Sequence, residues 1–212
     1  LLDEYGEKIT PRKRSERSER SRLKIIKAHL GDVFLSDLTP ELVIDFVDDR
    51  LDSVVSDTVR KELNTLSVAI DAGMALWGIQ LPANPVKTAK GILKVTKTLM
   101  PGVRRARRPT SDELDILQEY LPGLMPSLIE FAIETAMRRG EIANQRRDHI
   151  KNDLLLIPET KTDEPRTIPL SKRAKDILAE LPARLDGLTW GIRPDSISQA
   201  FIRTCREYEI VD

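Results

Sequence analysis

Apolar positions recur every three or four residues along most of the chain, the period of helices with one buried face. Leu1, Leu2, Tyr5 and Ile9 share one side of a short amphipathic piece over residues 1–9. Thr10-Pro11 then opens a helix expected to reach Leu30, where Gly31 stops it. Thr39-Pro40-Glu41 is a helix start, with a capping hydroxyl and proline at the first position. That helix buries Leu42, Val43, Phe46 and Val47 and turns Asp45, Asp48, Asp49 and Asp52 outward. Ser56 heads a long helix whose stripe is Val59, Leu63, Leu66, Ile70, Met74 and Trp77. Four helices on short loops predict a small bundle over residues 1–93.

Between Leu81 and Pro109 the periodicity weakens, and Lys87, Lys90, Lys94, Lys97, Arg104, Arg105, Arg107 and Arg108 gather among prolines and glycines. We expect a basic linker, with 94–108 joining two domains. The helical pattern resumes at Thr110-Ser111-Asp112-Glu113, a capping box followed by Leu114, Leu117 and Leu121. A second helix from about Pro126 carries Leu128, Ile129, Ala132, Ile133 and Ala136 and is expected to end at Arg138. The one change of period lies between Leu154 and Leu170, two short apolar strands around a polar tip with Lys161 at its rim. Ser171 and Pro194-Asp195 open two further helices, the last with Ile197, Ala200, Phe201, Thr204 and Cys205 along one side.

Composition narrows the classes. A length of 212 residues, 40% of them hydrophobic, allows one large or two small domains with real cores. Charged residues at 32% and aromatics at 4% favour charge-faced helices over a β-sandwich. A single cysteine, Cys205, excludes an internal disulfide framework and fits a reducing cytoplasm. No apolar run approaches the ~20 residues of a bilayer span. Metal chemistry lacks clustered His and Cys. The formal net charge is zero, from 34 basic and 34 acidic residues, so nucleic-acid binding would need charge to be unevenly distributed.

It is unevenly distributed. Lys13, Arg17, Arg20, Lys24 and Lys27 recur at helical intervals beside Leu23, Ile26 and Leu30, which places a cationic stripe next to an apolar one. Arg60 and Lys61 lie off the core stripe of the long helix. Solvated charge accounts for these positions as well as a polyanion does. Further on, Thr135-Ala136-Met137-Arg138-Arg139-Gly140-Glu141 puts two guanidinium groups after an apolar helix and a carboxylate three residues beyond the first. A fixed guanidinium is a planar fork of donors matched to phosphate oxygens, and Glu141 is placed to hold it.

A helix ending in Thr-small-x-Arg-x-x-Glu, then a hairpin with Thr160-Lys161-Thr162, closed by Arg166-Thr167-Ile168-Pro169-Leu170, resembles the catalytic domain of tyrosine recombinases, the phage integrase family. The likeness in layout extends over the N-terminal half. It implies a mainly α protein of two domains: a four-helix (SAM-like) core-binding bundle over 1–93, and over 109–212 part of an α+β catalytic domain with a small sheet. It also implies double-stranded DNA as partner, in the cytoplasm at the nucleoid, with no cofactor, membrane or small-molecule substrate. By the same resemblance Arg138 would stabilise charge on the scissile phosphate, Glu141 would steady it, and Lys161 would protonate the leaving 5′-oxygen. Lys13, Arg17, Arg20, Lys24, Lys27, Arg60, Lys61, Arg104, Arg105, Arg107, Arg108 and Arg139 would contact DNA. Ala136 departs from the family motif, which carries glycine there; a second small residue is expected to preserve close helix packing.

The family reaction forms a 3′-phosphotyrosyl link, uses a His-x-x-Arg box and a nucleophilic tyrosine, and is run by a homotetramer on two sites. Neither feature can be assigned in these residues: His29 is followed three residues on by Asp32, and His149 by Asn152. Tyr5, Tyr120 and Tyr208 read as helix packing residues. The expectation is therefore a fragment that binds DNA without cleaving it, completed by a C-terminal portion of roughly a hundred residues. A non-catalytic DNA-binding or regulatory protein on the same scaffold fits the same features, and a helical protein-interaction module fits the zero net charge.

Overall fold

The computed structural model describes residues 1–102, 106–158 and 164–210. The chain divides into two compact units, Leu1–Arg105 and Ala106–Asp212.

The first unit is helical throughout its described residues: α1 (Leu2–Lys8), α2 (Glu16–Leu30), α3 (Pro40–Leu51), α4 (Ser56–Leu76) and α5 (Pro85–Val95), with a 3₁₀ turn at Thr10–Arg12. Its core is Ile26, Val43, Phe46, Val47, Val59, Leu63, Leu66, Ile70, Val86, Ala89 and Leu93. Thr39 caps α3 as its sequence suggested, its hydroxyl accepting from the Leu42 N–H at 3.3 Å. Two expectations change. The helix foreseen from Thr10 is broken, so Lys13 lies in an extended residue after the 3₁₀ turn and leaves the stripe on α2. The bundle has a fifth helix, α5, in the stretch read as the start of a linker. Val86, Ala89 and Leu93 repeat at helical spacing and pack on α3 and its neighbours. Burying Leu93 alone contributes roughly 2 kcal/mol, more than the ~1 kcal/mol that Gly91 costs inside a helix. Asn84 starts α5: its Oδ1 accepts from the Val86 N–H at 3.0 Å, while its Nδ2 donates to Ser67 O and Asp71 Oδ1, both at 2.9 Å.

The second unit comprises α6 (Ser111–Tyr120), α7 (Met125–Thr135), α8 (Arg139–Ala143), strands β1 (Ile150–Lys151), β2 (Leu154–Ile157) and β3 (Arg166–Pro169), then α9 (Lys172–Glu180) and α10 (Pro194–Glu207). The Thr110–Glu113 capping box is formed in both directions, at 3.3 and 2.8 Å. The antiparallel sheet runs β1-β2-β3, and Ile157 pairs with Arg166 at its far end. β1 was not foreseen. It turns into β2 through Asn152 and Asp153, both at positive φ (48° and 65°), as a two-residue hairpin loop requires. Leu155 and Ile157 point into a core with Phe131, Leu128, Ile142, Ile177 and Trp190. Trp190 donates its Nε1–H to Gln145 Oε1 at 3.0 Å, so the polar end of the largest core side chain is satisfied.

The helix expected to reach Arg138 stops at Thr135. Ala136 takes the left-handed conformation (φ 50°, ψ 27°) as its cap and is exposed, as is Ile133. A Cβ is penalised at positive φ, so this position favours glycine on conformational grounds, and the exposed Ala136 methyl is not a helix-packing contact.

Candidate functional site

Between α7 and α8 the chain turns sharply. Met137 is buried and anchors the turn, and Arg138 follows in extended conformation (φ −73°, ψ 150°) as the residue that caps α8. Arg138 is thus held at a helix start and not, as its sequence suggested, at a helix end. Glu141, one turn into α8, accepts from the Arg138 backbone N–H at 2.8 Å and from its Nη1 at 3.0 Å. The same carboxylate accepts from Arg166 Nη2 at 2.8 Å. The Glu141 side chain is only 5% exposed, whereas that of Arg138 is 54% exposed. One buried anion therefore orients two guanidinium groups, and the cluster keeps a net positive charge whose outer half faces solvent. Such a fork is set up to receive a phosphate with little reorganisation.

Arg166 was missed as a site residue. It stands 25 positions from Glu141 and pairs across the ladder with Ile157, so both ends of the segment carrying Lys161 spring from the strand pair that reaches the cluster. Lys161 itself, with Arg104 and Arg105, lies outside the described residues. Arg139, next to Arg138, donates to Ser198 Oγ and ties α8 to α10.

In the first unit the predicted cations divide by partner. Lys13 donates to Tyr5 Oη at 2.5 Å and to Glu19 Oε1 at 2.8 Å, with Tyr5 and Glu19 both buried. Burial alone would lower the Lys13 pKa; the bonds to Glu19 and Tyr5 outweigh it and hold the ammonium charged. Lys13 is thus bonded within the first unit, off the α2 stripe on which its sequence placed it. Arg20 pairs with Glu16 at 2.8 Å, Lys27 with Asp3 at 2.6 Å and Arg60 with Asp57 at 3.1 Å. These pairs are exposed, so exchanging a carboxylate for a phosphate costs about 1 kcal/mol or less. Arg17, Lys24 and Lys61 are exposed on α2 and α4. In the second unit Arg107 pairs with Glu113, and Arg108 is exposed.

Scanned against protein-family profiles, the chain matches none. Individual proteins do match. A Haemophilus influenzae protein described as an integrase/recombinase is 28% identical over 212 residues, covering 95% of this chain and 68% of its own length. The shufflon-specific DNA recombinase of Escherichia coli is 32% identical over 200 residues, covering 88% of this chain and 50% of its own length. Among solved structures, a lambda integrase dimer bound to a COC′ core site superposes with a TM-score of 0.77 at 21% identity, over 100% of this chain and 81% of that one. A lambda integrase tetramer bound to a Holliday junction gives 0.75 at 22%. The chain is thus similar to integrases and recombinases over nearly its whole length, and it shares the lambda integrase fold. It spans about two thirds of the first curated relative and half of the second.

The resemblance to tyrosine recombinases calls for a tyrosine nucleophile, and the three tyrosines of these 212 residues are poor ones. Tyr5 is fully buried on Lys13 and Glu19. Tyr120 and Tyr208 stack on each other, ring centroids 4.2 Å apart. Glu119 beside the Tyr120 hydroxyl and burial at Tyr208 both push the phenols upward, away from the phenolate. Cys205 is half-buried against the core, and burial raises its thiol too. Among the described residues no group of His, Cys, Asp and Glu could hold a metal ion. No described helix is long and apolar enough to cross a membrane.

Proposed function

We propose that this chain is the DNA-binding and phosphate-gripping part of a site-specific DNA recombinase. Residues 1–93 act as the core-binding domain, 94–108 as a basic linker, and 109–212 as the front of the catalytic domain. Arg138 stabilises charge developing on the non-bridging oxygens of the scissile phosphate, the sort of preorganised donor whose loss costs about 3 kcal/mol of transition-state stabilisation. Glu141 holds it. Lys161 protonates the leaving 5′-oxygen as a mobile point charge on the hairpin. A tyrosine and a His-x-x-Arg box outside these 212 residues supply the nucleophile and further phosphate contacts. The phosphotyrosyl link then conserves the energy of the broken bond, so the strand can be rejoined without ATP or a metal.

The observation that carries this reading is the single buried carboxylate of Glu141 on both Arg138 and Arg166. Two cations brought together on one anion raise local positive charge, which stability alone does not require. The curated relatives named for recombination point the same way, and the lambda integrase tetramer on a Holliday junction motivates a homotetramer on two sites at the nucleoid.

The test is covalent trapping on a nicked duplex. The complete protein is expected to leave a DNA adduct that Arg138→Ala abolishes, whereas the 212-residue chain binds duplex in low salt and leaves none. A complete protein that binds but never forms an adduct would be a non-catalytic DNA-binding protein on this scaffold. Absence of duplex binding at low salt would point to a protein-interaction module.

A further inference from the structure

Most candidate DNA contacts in the first unit are flexible cations, and several of them already face carboxylates. One arginine that the sequence pattern did not single out is different. Arg22 on α2 donates its Nε–H to Thr65 Oγ1 on α4 at 2.8 Å, and Thr65, only 5% exposed, donates in turn to the Lys61 carbonyl at 3.0 Å. The partner is neutral, and among the described residues Arg22 makes no ion pair. Because the bond is at Nε, it fixes the plane of the guanidinium and leaves the edge with both terminal nitrogens unused; among the described residues neither has a hydrogen-bond partner.

This fork sits in a shallow depression of about 230 Å³ between α2 and α4, lined by Glu19, Arg22, Lys61, Asn64, Thr65 and Val68. Asn64 is also oriented: Lys90 Nζ donates to its Oδ1 at 2.7 Å, which leaves its amide N–H groups for an outside acceptor. Val68 is 48% exposed among these polar groups. A surface that only grips phosphates has no use for a bare valine. Base edges in the major groove do, since they offer paired acceptors on guanine and the methyl group of thymine. Glu19, which also lines the depression, is buried and ion-paired with Lys13 through its Oε1 at 2.8 Å, and makes no hydrogen bond to Arg22.

The geometry points to Arg22 as a base-reading residue that donates both terminal N–H groups to O6 and N7 of a guanine in the major groove. Asn64 and Val68 contact the adjoining base edges, and Lys61 contacts the flanking phosphate. This rests on the reading of the first unit as a DNA-binding domain, and it adds where that domain takes its sequence information.

The test is selection from a randomised duplex library by the 212-residue chain, followed by binding measurements on the enriched site across a salt series. The wild-type chain should enrich a motif with guanine at one dominant position. Arg22→Gln should lose that preference while keeping the others, and bind the enriched site roughly ten- to a hundredfold more weakly. Arg22→Lys keeps the charge without the planar fork; it should weaken the guanine preference and retain the wild-type salt slope. Lys61→Gln should keep every base preference and reduce the salt slope by about 0.9. Circular dichroism melts verify that each variant is folded; should Arg22→Gln unfold, Arg22→Lys decides. If the wild-type motif is selected unchanged by the folded Arg22 variants, the inference is overturned while DNA binding stands. If the wild-type chain binds no duplex, the DNA-binding reading falls and takes the inference with it.

Discussion

Arg166 Nη2 lies 2.8 Å from Glu141 Oε2, the same oxygen that accepts the backbone N–H of Arg138. The start of β3 and the start of α8 are therefore joined through one atom. Removing that carboxylate leaves two guanidinium groups facing each other and one backbone N–H without its acceptor. Glu141→Ala should destabilise the second unit by about 2 kcal/mol, a figure reduced for the solvent that reaches both arginines. Urea unfolding of the whole chain, followed at the buried Trp190, measures it. An unchanged midpoint would mean that the carboxylate does not organise the turn.

Ala136 carries a Cβ at φ 50°. Replacement by glycine removes the left-handed penalty with no loss of buried surface, because the residue is exposed. Ala136→Gly should stabilise the second unit by up to ~1 kcal/mol, a little of it offset by the freer unfolded chain. Valine, branched at Cβ, should act in the opposite direction. Thermal melts of the three proteins give the order.

Lys13 supports the first unit from within. Lys13→Met leaves Glu19 buried without its counter-charge, so the unit should lose about 1–3 kcal/mol. Duplex affinity measured below the melting range should stay within about twofold. Lys24→Met should do the reverse, leaving stability alone and weakening binding in low salt. A large affinity loss for folded Lys13→Met would place that residue on the binding surface.

Asp71 links α4 to α5. Hydrogen bonds from Asn84 and then Lys87 hold its pKa below the ordinary 3.8. A folded-state pKa below the unfolded one gives stability that is fully present above the unfolded value and is lost as pH falls through the folded value. The wild-type first unit should thus lose stability on acidification below about pH 4, and Asp71→Asn should flatten that part of the profile. Denaturant midpoints between pH 2 and 6 test it; parallel profiles would remove Asp71 from the acid response.

What could be read from the amino-acid order was local. The Thr39-Pro40 start, the Thr110–Glu113 box and the stripe from Val59 to Ile70 depend on neighbours within a turn or two, and the structure forms each of them. The motif around Arg138 was legible for the same reason, its carboxylate being three residues away. α5 was lost among lysines and Gly91, although Val86, Ala89 and Leu93 carried its spacing, and Asn152-Asp153 held the turn that makes β1.

Tertiary structure alone decided which charges are spent and which are offered. Lys13 and Lys24 look alike along the chain, yet one is drawn onto Glu19 beside Tyr5 and the other stays in solvent. Arg166 meets Glu141 across 25 residues, and Arg22 meets Thr65 across 43. A helix or turn is set by interactions of short range, which the order of residues specifies directly. The availability of a guanidinium depends on whatever distant group folding brings to it, and that partner is chosen only when the whole core packs.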